Sequence, residues 1–167
     1  MRKSSIALCV ALAFALGLLV ARIHPTTAAA ASINPTAGWT IHIDAQKHFG
    51  DSNSTEIAHH WCKAVSGGML ECMIFDSDAA NARLVEVETI VQPAVYKGFS
   101  KDEQALWHYH RDEIPKVSAS MPDMTPAQAK AATASIIDTY GKVYMLWDPK
   151  STAKGAPIGQ PTVVVLH

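Results

Sequence analysis

Two short stretches crowd imidazoles against other polar or soft side chains: His59-His60-Trp61-Cys62 and Trp107-His108-Tyr109-His110. If the second stretch is extended, its residues alternate, so that His108, His110 and Asp112 share one face. A His-x-His pair on a strand turns two imidazoles toward one point, where a carboxylate from a neighbouring strand completes a metal site. Glu88 is the natural carboxylate, with Glu86 beside it, and His59 or His60 is a further candidate ligand. If the stretch is helical, the two imidazoles diverge by about 200° and do not share an ion easily. Zinc, iron and copper all suit imidazole, and these residues do not choose among them. The same groups admit two other readings: a carboxylate–imidazole acid–base pair without metal, or a satisfied polar network inside a small core. No phosphate loop, GxGxxG, HExxH, GxSxG or paired CxxC is present.

The elements that must position these groups read as follows. Ile41, Ala45, His48 and Phe49 recur at helical spacing, which predicts a short helix over 41–49 ended by Gly50. Leu70 to Phe75 and Arg83 to Val91 read as strands, the latter with Val85, Val87, Thr89 and Val91 on one face and Glu86, Glu88 and Ile90 on the other. Ser100 followed by Glu103 predicts a short helix from Lys101 to about Leu106, and Trp107 to Ile114 either continues it or starts a strand. Thr125-Pro126 with Gln128 opens an Ala-rich helix over 126–140, with Gly141 as its stop. Val143 to Trp147 and Thr162 to Leu166 are strand candidates. A late helix among scattered strands, without regular strand–helix alternation, predicts an α+β fold: a small single domain with a largely antiparallel sheet and one long late helix.

The chain has 167 residues, the size of one domain with a leader. Arg2 and Lys3, the uncharged apolar run Ile6 to Ala21 and the small residues Ala28-Ala29-Ala30 make residues 1–30 read as a secretory signal peptide. The apolar run is short for a membrane span of about 20 residues. Arg22 and His24 directly after it fit an uncleaved N-terminal anchor instead, which would tether the domain to the inner membrane. Residues 31–40 form a lead-in to a domain over 41–167. The expected location is therefore the bacterial periplasm or the exterior. The leader holds Arg2, Lys3 and Arg22 and no acid, so its removal makes a chain of net charge −1 more acidic. An acidic domain without a basic run argues against nucleic acid as a partner. Cys62 and Cys72, with Gly67-Gly68 between them, fit a disulfide in an oxidising compartment or two buried thiols. Asn53-Ser54-Thr55 is a formal glycosylation sequon, given little weight after a bacterial-type leader.

Taken in order, His59-His60-x-Cys62, Cys72 with Phe75-Asp76-Ser77, Asn81-Ala82-Arg83-Leu84, Val87-Glu88, Leu106-Trp107-His108-x-His110 and Tyr140-Gly141-Lys142 resemble the oil body-associated protein family, a domain-of-unknown-function family of plants and bacteria. The resemblance runs from about Ile41 to the C-terminus. It places His42, His59, His60, Cys62, Cys72, Glu88, His108, His110 and Glu113 on family-like positions, whereas Glu86 stands where the plant pattern has Gly. It names a family and no reaction. The family name implies lipid-droplet association in plants, a location that does not carry over to an exported chain. Because plant relatives act inside cells, the resemblance also implies that the cysteines need not be oxidised, leaving a packing role, or a metal role for Cys62.

These features lead to a non-catalytic exported domain that binds a small molecule or lipid-like ligand through a His/Glu/Cys cluster. The alternatives are a metal-dependent hydrolase or oxidoreductase using His108, His110 and Glu88 with His59 or His60, and an envelope interaction protein. Whether the chain is an enzyme stays open, and membrane contact is expected only through an uncleaved leader.

Overall fold

Alternation of apolar and polar residues builds most of this chain into one antiparallel sheet. The structure, a computed structural model, describes residues 36–47, 56–151 and 156–165. The leader-like segment, His48 to Thr55 with the sequon, and His167 lie outside the described residues.

Seven strands pair in the order β1-β2-β3-β4-β6-β5, with β7 also on β6, and every pairing is antiparallel. They are β1 (Ile41–Gln46), β2 (Ile57–Ala64), β3 (Leu70–Phe75), β4 (Leu84–Val91), β5 (His108–Tyr109), β6 (Tyr140–Met145) and β7 (Thr162–Val164). The α-helices among the described residues are α1 (Pro93–Tyr96), α2 (Lys101–Gln104), α3 (His110–Glu113) and α4 (Pro126–Ile136). The result is a small domain with a largely antiparallel sheet and few helices. No helix among the described residues is long and apolar enough to cross a membrane.

The helix expected over 41–49 is a correction: Ile41 to Gln46 is a strand. Its period is two, with Ile41, Ile43 and Ala45 alternating with His42, Asp44 and Gln46, and all six residues pair with β2. The i, i+4 spacing of Ile41 and Ala45 fits either period, and sheet pairing decides it. The second correction concerns Gly141. Thr125 and Gln128 cap α4 as a full capping box, but the helix ends at Ile136 and Gly141 lies inside β6. Between them, the Thr139 N–H closes onto the Ile136 carbonyl.

Register lines up the buried face in rows. One row runs Ile41, Cys62, Cys72, Glu88, Val143 and Val164. The row beside it runs Ala64, Leu70, Ile90, Gly141 and His108, and the row on the other side runs Ile43, His60, Ile74 and Glu86. Ala58, Cys62, Cys72, Ile74, Ile90 and Val143 form the core of this face. Cys62 and Cys72 stand opposite each other and are joined as a disulfide.

β1 would otherwise be an open edge, a liability in any sheet. Residues 117–120 cover it: the Gln46 N–H donates to the Val117 carbonyl, and Asp44 and Ser120 exchange backbone hydrogen bonds of 2.9 and 2.8 Å.

Candidate functional site

Of the two expectations for Trp107 to Ile114, the strand start holds: α2 ends at Gln104 and is not continued, and a separate short helix follows the new strand. His108 and Tyr109 are extended and pair with β6, and the chain turns helical at His110. That break lets the two imidazoles converge, with ring centroids 5.1 Å apart. It also moves Asp112 off the face that it would share with both imidazoles on a strand. Asp112 does not reach the cluster, whereas Glu113, one helical turn past His110, places Oε2 2.7 Å from His108 Nε2.

Glu88 meets them from β4. Its Oε1 lies 3.3 Å from His108 Nε2 and 3.2 Å from His110 Nε2. Glu88, His108 and His110 are all buried. The carboxylate fits because β6 has no side chain at position 141. A Cβ on Gly141 would land on Glu88 Oε1 and 2.5 Å from His108 Nε2.

The proton pattern at His110 follows from its neighbours. The Thr139 hydroxyl donates to the Ile136 carbonyl at 2.6 Å, so its oxygen accepts from His110 Nδ1–H at 2.8 Å. A neutral His110 held in this tautomer turns a bare Nε2 lone pair toward Glu88 Oε1. Two electron-rich atoms 3.2 Å apart require a positive charge between them, either a proton or a metal ion. The geometry fits an ion: with bonds near 2.1 Å, tetrahedral ligand atoms lie about 3.4 Å apart. The three ligand atoms all lie within 4.8 Å of one another.

Without an ion, the charge is carried by protons. Burial alone would lower His108, but Glu113 and Glu88 outweigh it and push the imidazole up to about 10. Burial opposes the charge on Glu88 as well, yet the two imidazoles hold its carboxyl far below the usual range. His108 Nδ1 is among the buried polar atoms that have no hydrogen-bond partner among the described residues.

The cluster opens on a cavity of about 70 Å³ between the sheet and the segment from α3 to α4, with Ile43, Ile114, Val117 and Ile136 among its walls. That volume suits an ion with a few waters.

The other expected ligands go elsewhere. His60 faces the same side but lies two strands from Glu88, about 10 Å at ordinary strand spacing. Its Nδ1 sits against the carbonyls of Ile43 and Ala58. His59 points to the opposite face, toward Asp44 and Asp78. Cys62 is bonded to Cys72, which corrects a metal role for it. Glu86 is fully buried, with Lys47 Nζ 2.9 Å from Oε1, near enough for an ion pair although not aligned as a hydrogen bond. Burial raises the Glu86 carboxyl despite Lys47. The α2 cap behaves as expected at Ser100, but the Glu103 side chain turns away to Trp107 Nε1 and Lys142 Nζ, each at 2.8 Å. Thr139 drew no reading from the sequence, and Gly141 was read as a helix stop and a family motif residue, not as part of the site.

A family model described as a protein of unknown function (DUF1264) matches residues 33–166. The chain is 31% identical over 144 residues to oil body-associated protein 1B of Arabidopsis thaliana, covering 86% of this chain and 59% of that protein. It is 33% identical over 107 residues to oil body-associated protein 2B of Zea mays, covering 64% and 42%. Oil body-associated protein 2C of Arabidopsis thaliana is 29% identical over 132 residues, covering 78% and 55%. The chain thus spans about half the length of the curated relatives it matches. No solved structure matches it. The resemblance drawn from the ordered motifs is borne out: this chain belongs to the DUF1264 family and is similar over most of its length to plant oil body-associated proteins.

Proposed function

We propose that this domain binds a divalent transition-metal ion through Glu88, His108 and His110, with Glu113 beside His108. The observation that carries the reading is the convergence of Glu88 Oε1 with two Nε2 atoms at 3.3 and 3.2 Å in a buried pocket. Thr139 fixes the His110 tautomer that leaves Nε2 free to ligate. A bound ion would act as a Lewis acid toward whatever enters the cavity. The residues contribute the rest: Glu88 supplies charge neutralisation, Glu113 holds a second carboxylate at His108, and the apolar walls limit water.

The cavity also narrows the ligand class. Pockets for drug-sized ligands measure about 300–1,000 Å³, so a site of about 70 Å³ suits a small molecule of a few atoms. For location, we read the domain as exported. The leader-like N-terminus and the disulfide both fit an oxidising compartment.

Elemental analysis of natively purified protein tests the metal reading. Near-stoichiometric zinc, iron or copper that falls away in His110→Ala is the expected result. Substoichiometric metal that His110→Ala leaves unchanged would sink it.

A further inference from the structure

We infer that the opposite face of the sheet carries a second, solvent-open metal site, built from His42, Asp44, His59 and Asp78. This site is separate from the buried centre and does not depend on it. The four residues come from β1, β2 and the turn between β3 and β4. Their ligand atoms all lie within 4.8 Å of one another. His42 Nε2 is 3.2 Å from Asp44 Oδ1 and 3.1 Å from Asp78 Oδ1. His59 Nδ1 is 2.7 Å from Asp44 Oδ1 and 2.9 Å from Asp78 Oδ2.

Strand alternation makes this cluster. His42 and Asp44 are two apart on β1 and therefore share a face, and register sets His59 directly across from Asp44. Asp78 then closes the group from the turn.

A second observation points to a ligand as well as a charge network. His42 is buried, stacked on Trp61 at 4.3 Å, and its remaining nitrogen, Nδ1, is held 3.0 Å from Asp123 Oδ2. A carboxylate on the far nitrogen is how proteins fix a metal-binding imidazole, leaving the near nitrogen to the ion. Asp123 comes from the segment that passes β1's edge, so that cover also orients a ligand.

Two imidazoles and two carboxylates suit zinc or a similar borderline divalent ion. Asp78 is 43% exposed and borders an open groove of about 380 Å³ walled by Trp39, Trp61 and Phe75. An ion here is reachable from solvent. The competing arrangement is a metal-free network of imidazolium and carboxylate groups.

Zinc titration of the full chain against a chromophoric chelator separates the two arrangements. The proteins compared are wild type, Asp78→Asn, His59→Gln and Glu88→Gln. The expected result is two equivalents in wild type, with one lost in Asp78→Asn or His59→Gln and a different one lost in Glu88→Gln. Copper should quench Trp61 fluorescence in Glu88→Gln, and the quenching should disappear on adding His59→Gln. One equivalent in wild type, abolished by Glu88→Gln and untouched by the other two variants, overturns this site and leaves the buried one standing. One equivalent with the reverse pattern supports this site and removes the buried one. No binding at all overturns both.

Discussion

Gly141 stands directly across from His108 in the β5–β6 pairing, and the space its missing side chain leaves is where His108 and Glu88 meet. The small residue is therefore part of the site, although it has no side chain with which to ligate.

Gly141→Ala should remove high-affinity metal binding. The added methyl must displace Glu88 or His108, and overpacking of this kind costs about 1–3 kcal/mol. Chemical denaturation and zinc titration of the variant check both halves. Wild-type affinity in Gly141→Ala would mean that Glu88 and His108 do not act together.

Thr139→Val should weaken metal binding by about 10–100-fold, the usual effect of losing the partner that orients a ligating imidazole. Thr139→Ser keeps the hydroxyl and should restore most of the affinity. A purely structural role for Thr139 would lower stability in the valine variant without this rescue of affinity.

The metal-free protein should be most stable between about pH 4.5 and 6.5. His108 is raised in the folded state from 6.5 to about 10, so its contribution is fully present below 6.5 and is lost as pH rises toward 10. Glu88 is lowered from 4.5, so its contribution is present above that value and is lost as pH falls through its folded value. Zinc reverses the upper limb, because ligating imidazoles must be free of protons at the binding nitrogen. Thermal melts from pH 5 to 9 with chelator and with excess zinc should diverge with opposite slopes above pH 6.5. Superimposable profiles would contradict the site.

Reduction of Cys62–Cys72, or the double substitution to Ala, should destabilise the domain by about 2–3 kcal/mol, the loop-closure effect expected for a sequence separation of 10. Metal stoichiometry should stay at the wild-type value in the refolded variant, since the two sulfurs are bonded to each other and the ligand group is Glu88, His108 and His110. Loss of metal with the fold intact would restore a ligand role for the cysteines.

Much of the sheet was legible because β4 alternates cleanly and β3 is a short apolar run stopped by Asp76-Ser77-Asp78. β1 was not: Ile41 and Ala45 suit either period, and only pairing along β2 selects the strand. The pairing of Glu88 with His108 and His110 could be anticipated from residue types. The fourth group, Glu113, stood among the family-like positions but followed from no local pattern, because a strand that becomes a helix at His110 brings it in and turns Asp112 away. His59 and His60 are adjacent in sequence and so face opposite sides of β2, which a motif read as a unit conceals. Asp44 shares a face with His42 by alternation, but Asp78 and Asp123 gather there through a turn and through a segment folded along β1, and no local pattern carries that information.

The most direct measurement is a crystal structure of the zinc-loaded full chain with data collected on both sides of the zinc absorption edge. An anomalous peak about 2.1 Å from Glu88 Oε1, His108 Nε2 and His110 Nε2 is the predicted result. Zinc-saturated crystals with no peak there, and with Glu88 still in direct contact with both imidazoles, would contradict a metal centre and leave a proton-bridged core network in its place.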